Sequence, residues 1–211
     1  MGSLNYIINK FELDTWQSDP LPITIPLDER KGLAELFYEL GFKEGAEIGV
    51  ERGRFSVVLL DKNPNLKLYG IDPWITYDKY PDYQSQEQLD FFRQSTIDRL
   101  TKHKVIDRFE MIKQFSAEAV KEFKDESLDF VYIDGNHDLL NVVLDITLWS
   151  PKVRKGGIIG GHDYTPCKNS SGQIIHVQEG VQAFAKAYEI KPWFIFGTFK
   201  PGNGSFMWVK K

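Results

Sequence analysis

The chain has 211 residues, a length that fits one domain able to bury ~70% of its unfolded surface without disulfide or metal staples. Lys and Arg total 26 against 30 for Asp and Glu, a net charge of −4, so there is no basic excess to neutralise a phosphate backbone and nucleic acid is not an expected partner. Apolar residues at 42% and charged residues at 27% exclude wholesale disorder, and no apolar run approaches the ~18 residues of a membrane span.

The opening stretch, MGSLNYIINKFELD, lacks the basic and apolar regions of a signal peptide. Its Met-Gly start is not a myristoylation signal, because Tyr6 stands where Ser or Thr is needed. Residues 1–30, dotted with Pro20, Pro22 and Pro26, read as an irregular or partly helical lead-in. The rest, 31–211, reads as one domain. Leu33, Leu36, Phe37 and Leu40 recur at helical spacing, and Gly41 suits a helix C-terminus. GAEIGV (45–50) reads as a strand, Gly49 to Gly53 as a turn, and residues 54–63 as a helix. LKLYGID (66–72) is a second strand. A loop crowded with Trp74, Tyr77, Tyr80 and Tyr83 follows. Residues 85–103 form a helix with Leu89, Phe92, Ile97 and Leu100 inward. FEMIKQ (109–114) is a third strand, then a short helix capped by Ser116. LDFVYID (128–134) is the fourth strand. The spacing predicts a helix over 137–153 with Leu140, Val143, Leu144 and Leu148 inward. GGIIGGHD (156–163) is the fifth strand, and a polar loop (164–175) leads to a helix near 177–188. Two last strands (193–199 and 205–211) flank KPGNG, a hairpin signal.

Strands alternating with helices predict an α/β fold: a Rossmann-like, mostly parallel sheet of seven strands, helices on both faces, and a C-terminal antiparallel hairpin. Ligands of such sheets bind beyond the carboxyl ends of the strands. The first strand ends Glu47-Ile48-Gly49-Val50-Glu51-Arg52-Gly53. A dinucleotide turn wants glycine where Glu51 stands, and a carboxylate beside a pyrophosphate is electrostatically wrong. The turn suits a ligand bearing an amine or sulfonium. Asp72 ends the second strand, where it either accepts hydrogen bonds from ribose or caps a helix started by Pro73. Asp134 ends an apolar strand, so its carboxylate must emerge into a cleft or be paired. His137 follows at a helix start, either as a general base or as a partner of a nearby acid. His162 and Asp163 end the fifth strand. Asp134 and Asp163 would face each other ~5 Å apart and would repel unless a cation lies between them. Mg²⁺ fits two carboxylates, and the His162 imidazole would also admit Mn²⁺ or Fe²⁺. The alternative is that one of these acids only caps a helix. His103 and His176 lack such a setting. The single cysteine, Cys167, cannot form an internal disulfide and points to a reduced, cytoplasmic setting.

AEIGVERGRFS, LYGIDPW, DFVYIDGNHD and KGGIIGGHDY together resemble the class I S-adenosylmethionine-dependent methyltransferases, over about residue 30 to the end. Within that class, the IDG-x-H and GG-x-x-x-HDY segments resemble the metal-dependent O-methyltransferases of sugars and glycosylated natural products, the group of the macrocin and mycinamicin enzymes. The resemblance implies that Glu47, Gly49, Gly53, Asp72, Trp74, Ser116, Ala117 and Asp134 hold S-adenosylmethionine. It implies Asp134, His162 and Asp163 as ligands of Mg²⁺ or Mn²⁺, with His137 as the base. Glu51 and Arg52 depart from the family's more glycine-rich first motif. Tyr77, Tyr80, Tyr83 and Tyr164 are the candidate acceptor contacts, on substrate-side segments 73–100 and 164–176.

The expected reaction is methyl transfer to a hydroxyl of a small-molecule acceptor. A nicotinamide-dependent oxidoreductase, a metal-dependent hydrolase and a non-catalytic nucleoside-binding module are the alternatives. A homo-oligomer is left open. The aromatic fraction of 14% is read as a core plus a lid, the lid made by the rings of residues 74–83.

Overall fold

The computed structural model describes residues 2–14, 21–77, 85–168, 172 and 174–211. In chain order the elements are α1 (Ser3–Lys10), β1 (Ile23–Thr24), α2 (Glu29–Glu39), β2 (Glu44–Ile48), α3 (Arg54–Lys62), β3 (Lys67–Ile71), α4 (Gln86–Lys102), β4 (Phe109–Ile112), α5 (Ser116–Ala119), β5 (Leu128–Ile133), α6 (Leu139–Trp149), β6 (Val153–Gly161), α7 (Val177–Ala187), β7 (Phe194–Phe196) and β8 (Ser205–Val209). One sheet holds all eight strands in the order β1-β7-β8-β6-β5-β2-β3-β4. The strands from β6 through β4 run parallel, and only β8 runs antiparallel to its neighbours β6 and β7. The sequence predicts seven strands. The eighth is β1, two residues that pair with Phe194 and Ile195 at the sheet edge. A strand that short carries no readable periodicity.

Alternation on β5 divides the interior into two layers. Phe130 and Tyr132 join the core under α2, α3 and α4, with Leu33, Phe37, Phe55, Leu59 and Phe92. Val131 and Ile133 join the core under α6 and α7, with Ile146, Trp149, Val181 and Trp208. The Phe37 and Phe130 rings stack with centroids 4.1 Å apart. Truncating such a buried ring to alanine costs about 3–5 kcal/mol. Both faces of the sheet are thus covered, which leaves the strand ends as the accessible edge for chemistry.

Three predicted details are corrected. Helix α6 starts at Leu139 and buries Val142, Asp145, Ile146 and Trp149, whereas Leu140 is 75% exposed and Leu144 37%. The segment is apolar on nearly every side, so its periodicity does not single out a face. Its end is followed by a 3₁₀ turn at Ser150–Lys152, and β6 begins at Val153. Ser116 is the first residue of α5 rather than its cap, and its hydroxyl is engaged elsewhere. Third, Ile97 is only half-buried on α4, whose buried stripe runs through Leu89, Phe92, Thr96 and Leu100. The predicted start of α4 agrees with its capping box, in which Ser85 Oγ accepts from Gln88 N–H.

Candidate active site

A cavity of about 550 Å³ opens at the carboxyl ends of β2, β3, β5 and β6, within the usual range for small-molecule sites. Its floor depends on Gly49, where φ is +87° and an added Cβ would fall 2.1 Å from the Asp134 carbonyl oxygen. No side chain fits there, so β2 and β5 release their chain ends side by side. Gly53 does not line the cavity; with φ +65° it precedes α3 and packs against Thr96.

Asp72 fastens the turn after β2. Its Oδ2 accepts the N–H groups of Val50 at 3.1 Å and Glu51 at 3.0 Å, and its Oδ1 accepts Trp74 N–H at 2.9 Å. Burial pushes its pKa up against these three donors. Pro73 starts no helix, since α4 begins at Gln86; Asp72 makes an Asx-type bond two residues ahead instead. Trp74 is 1% exposed and its indole Nε1 donates to the Glu51 carbonyl at 2.9 Å. This ring is a buried wall of the cavity, not part of an overhanging lid. Tyr80 and Tyr83 lie outside the described residues. Tyr77 is described: its ring meets Phe115 edge-on at 5.2 Å, and its hydroxyl accepts from Asn136 Nδ2 at 3.1 Å.

One end of the cavity is walled by Trp74, Ile75, Phe115, Ala117, Leu144 and Asp145. Ser116 Oγ accepts from Trp149 Nε1 at 2.7 Å and donates to Asp145 Oδ1 at 2.5 Å. Burial pushes the Asp145 carboxyl up to about 6, with the Ser116 hydroxyl opposing. Neither Asp145 nor this relay is signalled by the sequence, where Asp145 sits unremarkably among leucines.

The other end is dense in charge. Glu47 is buried and accepts from Ser56 Oγ at 2.5 Å. Burial raises its pKa to about 8, although Ser56 and Arg30 oppose the shift. Asp134 pairs through Oδ2 with Arg30 Nη2. Its Oδ1 lies 3.6 Å from His137 Nε2 and 4.0 Å from His162 Nδ1. Burial alone would raise its pKa, but Arg30, His137 and His162 hold it below the usual carboxylate range. Asp163 Oδ2 lies 3.0 Å from His137 Nε2, and its Oδ1 lies 2.9 Å from His162 Nδ1. Helix capping falls to Asp138, whose Oδ1 accepts Asn141 N–H at 2.9 Å. Asp134 and Asp163 are therefore not caps. Ligand atoms of Asp134, His162 and Asp163 all lie within 4.8 Å of one another. Two carboxylates and an imidazole at this spacing suit Mg²⁺, and more so Mn²⁺.

Tyr164 stands apart from the cavity. It is buried edge-on to Trp193 at 5.9 Å, and its hydroxyl accepts from Gln182. His103 pairs with Asp61 and His176 lies near Glu179, both away from the cavity. Arg30 is a second site residue that sequence reasoning misses; its partner lies 104 positions away, and its local pattern reads only as the start of an amphipathic helix.

Residues 46–164, more than half of the chain, match the family described as "Methyltransferase domain". The chain belongs to this methyltransferase family, with the class I architecture of a Rossmann-like sheet. No curated protein matches it in sequence. Among solved structures it is similar to the O-methyltransferase from Bacillus cereus in complex with SAH, with 16% identity and a TM-score of 0.63, covering 99% of this chain and 90% of that one. It is also similar to TomG from Streptomyces achromogenes, an O-methyltransferase involved in tomaymycin synthesis and solved with SAM, with 17% identity, a TM-score of 0.59 and coverage of 99% and 90%. Among the described residues no helix is long and apolar enough to cross a membrane.

Proposed function

We propose that this methyltransferase moves the methyl group of S-adenosylmethionine onto a hydroxyl oxygen of a small acceptor, of the sugar or glycosylated natural-product kind, with the help of Mg²⁺ or Mn²⁺. The observation that carries this reading is the cluster of Asp134, His137, His162 and Asp163 at one end of a cavity whose other end is walled by flat apolar side chains. The nucleoside would lie between Trp74, Phe115 and Leu144, near Ser116 and Ala117, with its ribose toward Asp72. The sulfonium would face Glu47, whose carboxyl ionises to meet the donor's ammonium. The likeness to structures solved with SAM and SAH supports this choice of donor.

A divalent cation held by Asp134, His162 and Asp163 would lower the pKa of an acceptor hydroxyl. His137 Nε2 stands within the same cluster and takes the hydroxyl proton. The acceptor oxygen attacks the methyl carbon in line, the C–S bond breaks, and the sulfur keeps the electron pair as S-adenosylhomocysteine leaves. The loop 164–176 is the proposed acceptor side; residues 78–84, which the sequence also assigns to it, lie outside the described residues.

The experiment is transfer of labelled methyl from S-adenosylmethionine to a panel of sugar and glycoside hydroxyls, before and after EDTA treatment. Labelled product that disappears with EDTA and returns with Mn²⁺ supports the reading. Undiminished transfer in the stripped enzyme would remove the cation from it.

A further inference from the structure

Arg30 is charged, faces the cavity and is only partly paired. It enters from the first turn of α2, outside the strand-end motifs. Its Nη2 meets Asp134 Oδ2, and its guanidinium lies over the Phe55 ring at 5.6 Å. A guanidinium offers five N–H donors; among the described residues Arg30 Nε is buried without a hydrogen-bond partner. Its side chain keeps about a third of its surface open, 34%. Asp134 and then Tyr132 and Glu47 hold it firmly protonated against the cost of burial.

Glu47 and Arg30 line the same end of the cavity. An acid alone would select any cationic head. An acid beside an unsaturated guanidinium selects a head carrying both signs, as a free α-amino acid does, because each charge then replaces lost hydration with a charge-assisted bond. We propose that Arg30 binds the α-carboxylate of the donor's amino-acid end while Glu47 binds its ammonium. The same guanidinium touches a ligand of the cation cluster. A carboxylate that shares the positive charge of Arg30 leaves Asp134 more of its own negative charge for a metal. Donor occupancy and cation affinity are therefore linked with positive sign, and the linkage is reciprocal.

This rests on the reading of the cavity as a site for S-adenosylmethionine, and the test separates the two. Binding of S-adenosylhomocysteine is compared with binding of its decarboxylated analogue, which keeps the amine, by calorimetry on the wild-type chain and on Arg30→Gln and Arg30→Lys. Wild type should prefer the carboxylated compound by about tenfold or more, the scale of one charge-assisted bond. Arg30→Gln should bring the two within about twofold, and Arg30→Lys should keep part of the preference. A purely structural role would weaken both compounds equally. Mn²⁺ affinity, read by electron paramagnetic resonance, should rise with S-adenosylhomocysteine and rise less with the analogue. Equal binding of both compounds to wild type overturns the role of Arg30 and leaves the nucleoside site standing. Binding of neither overturns both. An undiminished preference in folded Arg30→Gln, checked by its melting curve, overturns the assignment as well.

Discussion

The two ends of the cavity are built from different kinds of contact. At the apolar end, Asp72 is held by three backbone N–H groups and Asp145 by a hydroxyl that an indole in turn orients. The backbone partners of Asp72 are fixed once the turn after β2 has formed, and the hydroxyl partner of Asp145 once α5 and α6 have packed. At the charged end, Asp134 and Asp163 are held by side-chain charges: Arg30, His137 and His162. Such partners can exchange for a cation, a proton or a ligand carboxylate. One end is a mould and the other is a balance of charges. Chemistry that develops charge belongs at the second.

That contrast can be broken by substitution. Asp163→Asn removes a charge from the charged end and should lower turnover by on the order of 10³, the scale of lost charge stabilisation at a metal-assisted site. Without added cation, binding of S-adenosylhomocysteine should hardly change; a matching loss of cofactor affinity under those conditions would mean that Asp163 itself holds the donor. His137→Ala should cost ~10²-fold or more in turnover while Mn²⁺ affinity persists. If Mn²⁺ affinity falls in step, His137 is a ligand rather than the base.

Glu47, at the charged end, gives a pH signature. Its carboxyl titrates near 8 when folded, against an ordinary value of 4.5. Between those values the unfolded chain has already lost the proton that the folded chain keeps. The wild type should therefore lose stability as pH rises through this window, by up to about 1.4 kcal/mol per unit. Glu47→Gln should flatten that slope in urea unfolding without ligand. Parallel slopes would contradict the buried, protonated state. The smallest effect belongs to the mould: Phe115→Ala should weaken S-adenosylhomocysteine binding by roughly 0.5–1.5 kcal/mol and leave the acceptor KM alone. A raised acceptor KM instead would put Phe115 on the acceptor side.

Much of this was legible in the residues. An acid that closes an apolar strand has few places to go, which is why Asp72, Asp134 and Asp163 stand out and do line the cavity. The glycine turn is legible for a similar reason, since Gly49 allows a backbone approach that no Cβ permits. What the sequence hides depends on distant partners. Arg30 acquires its role from Asp134, and Asp145 from Ser116 and Trp149. Trp74 looks like a lid ring by composition and becomes a wall because its indole finds the Glu51 carbonyl. The exposed side of α6 is likewise decided by what packs on its other side, not by its own pattern.

The most direct measurement is the melting temperature of the chain with S-adenosylhomocysteine, with NAD and with neither. Ligand at 100 times its dissociation constant should add about 2.7 kcal/mol of stability. S-adenosylhomocysteine should raise the melting temperature and NAD should leave it in place. A rise with NAD and none with S-adenosylhomocysteine would contradict the account.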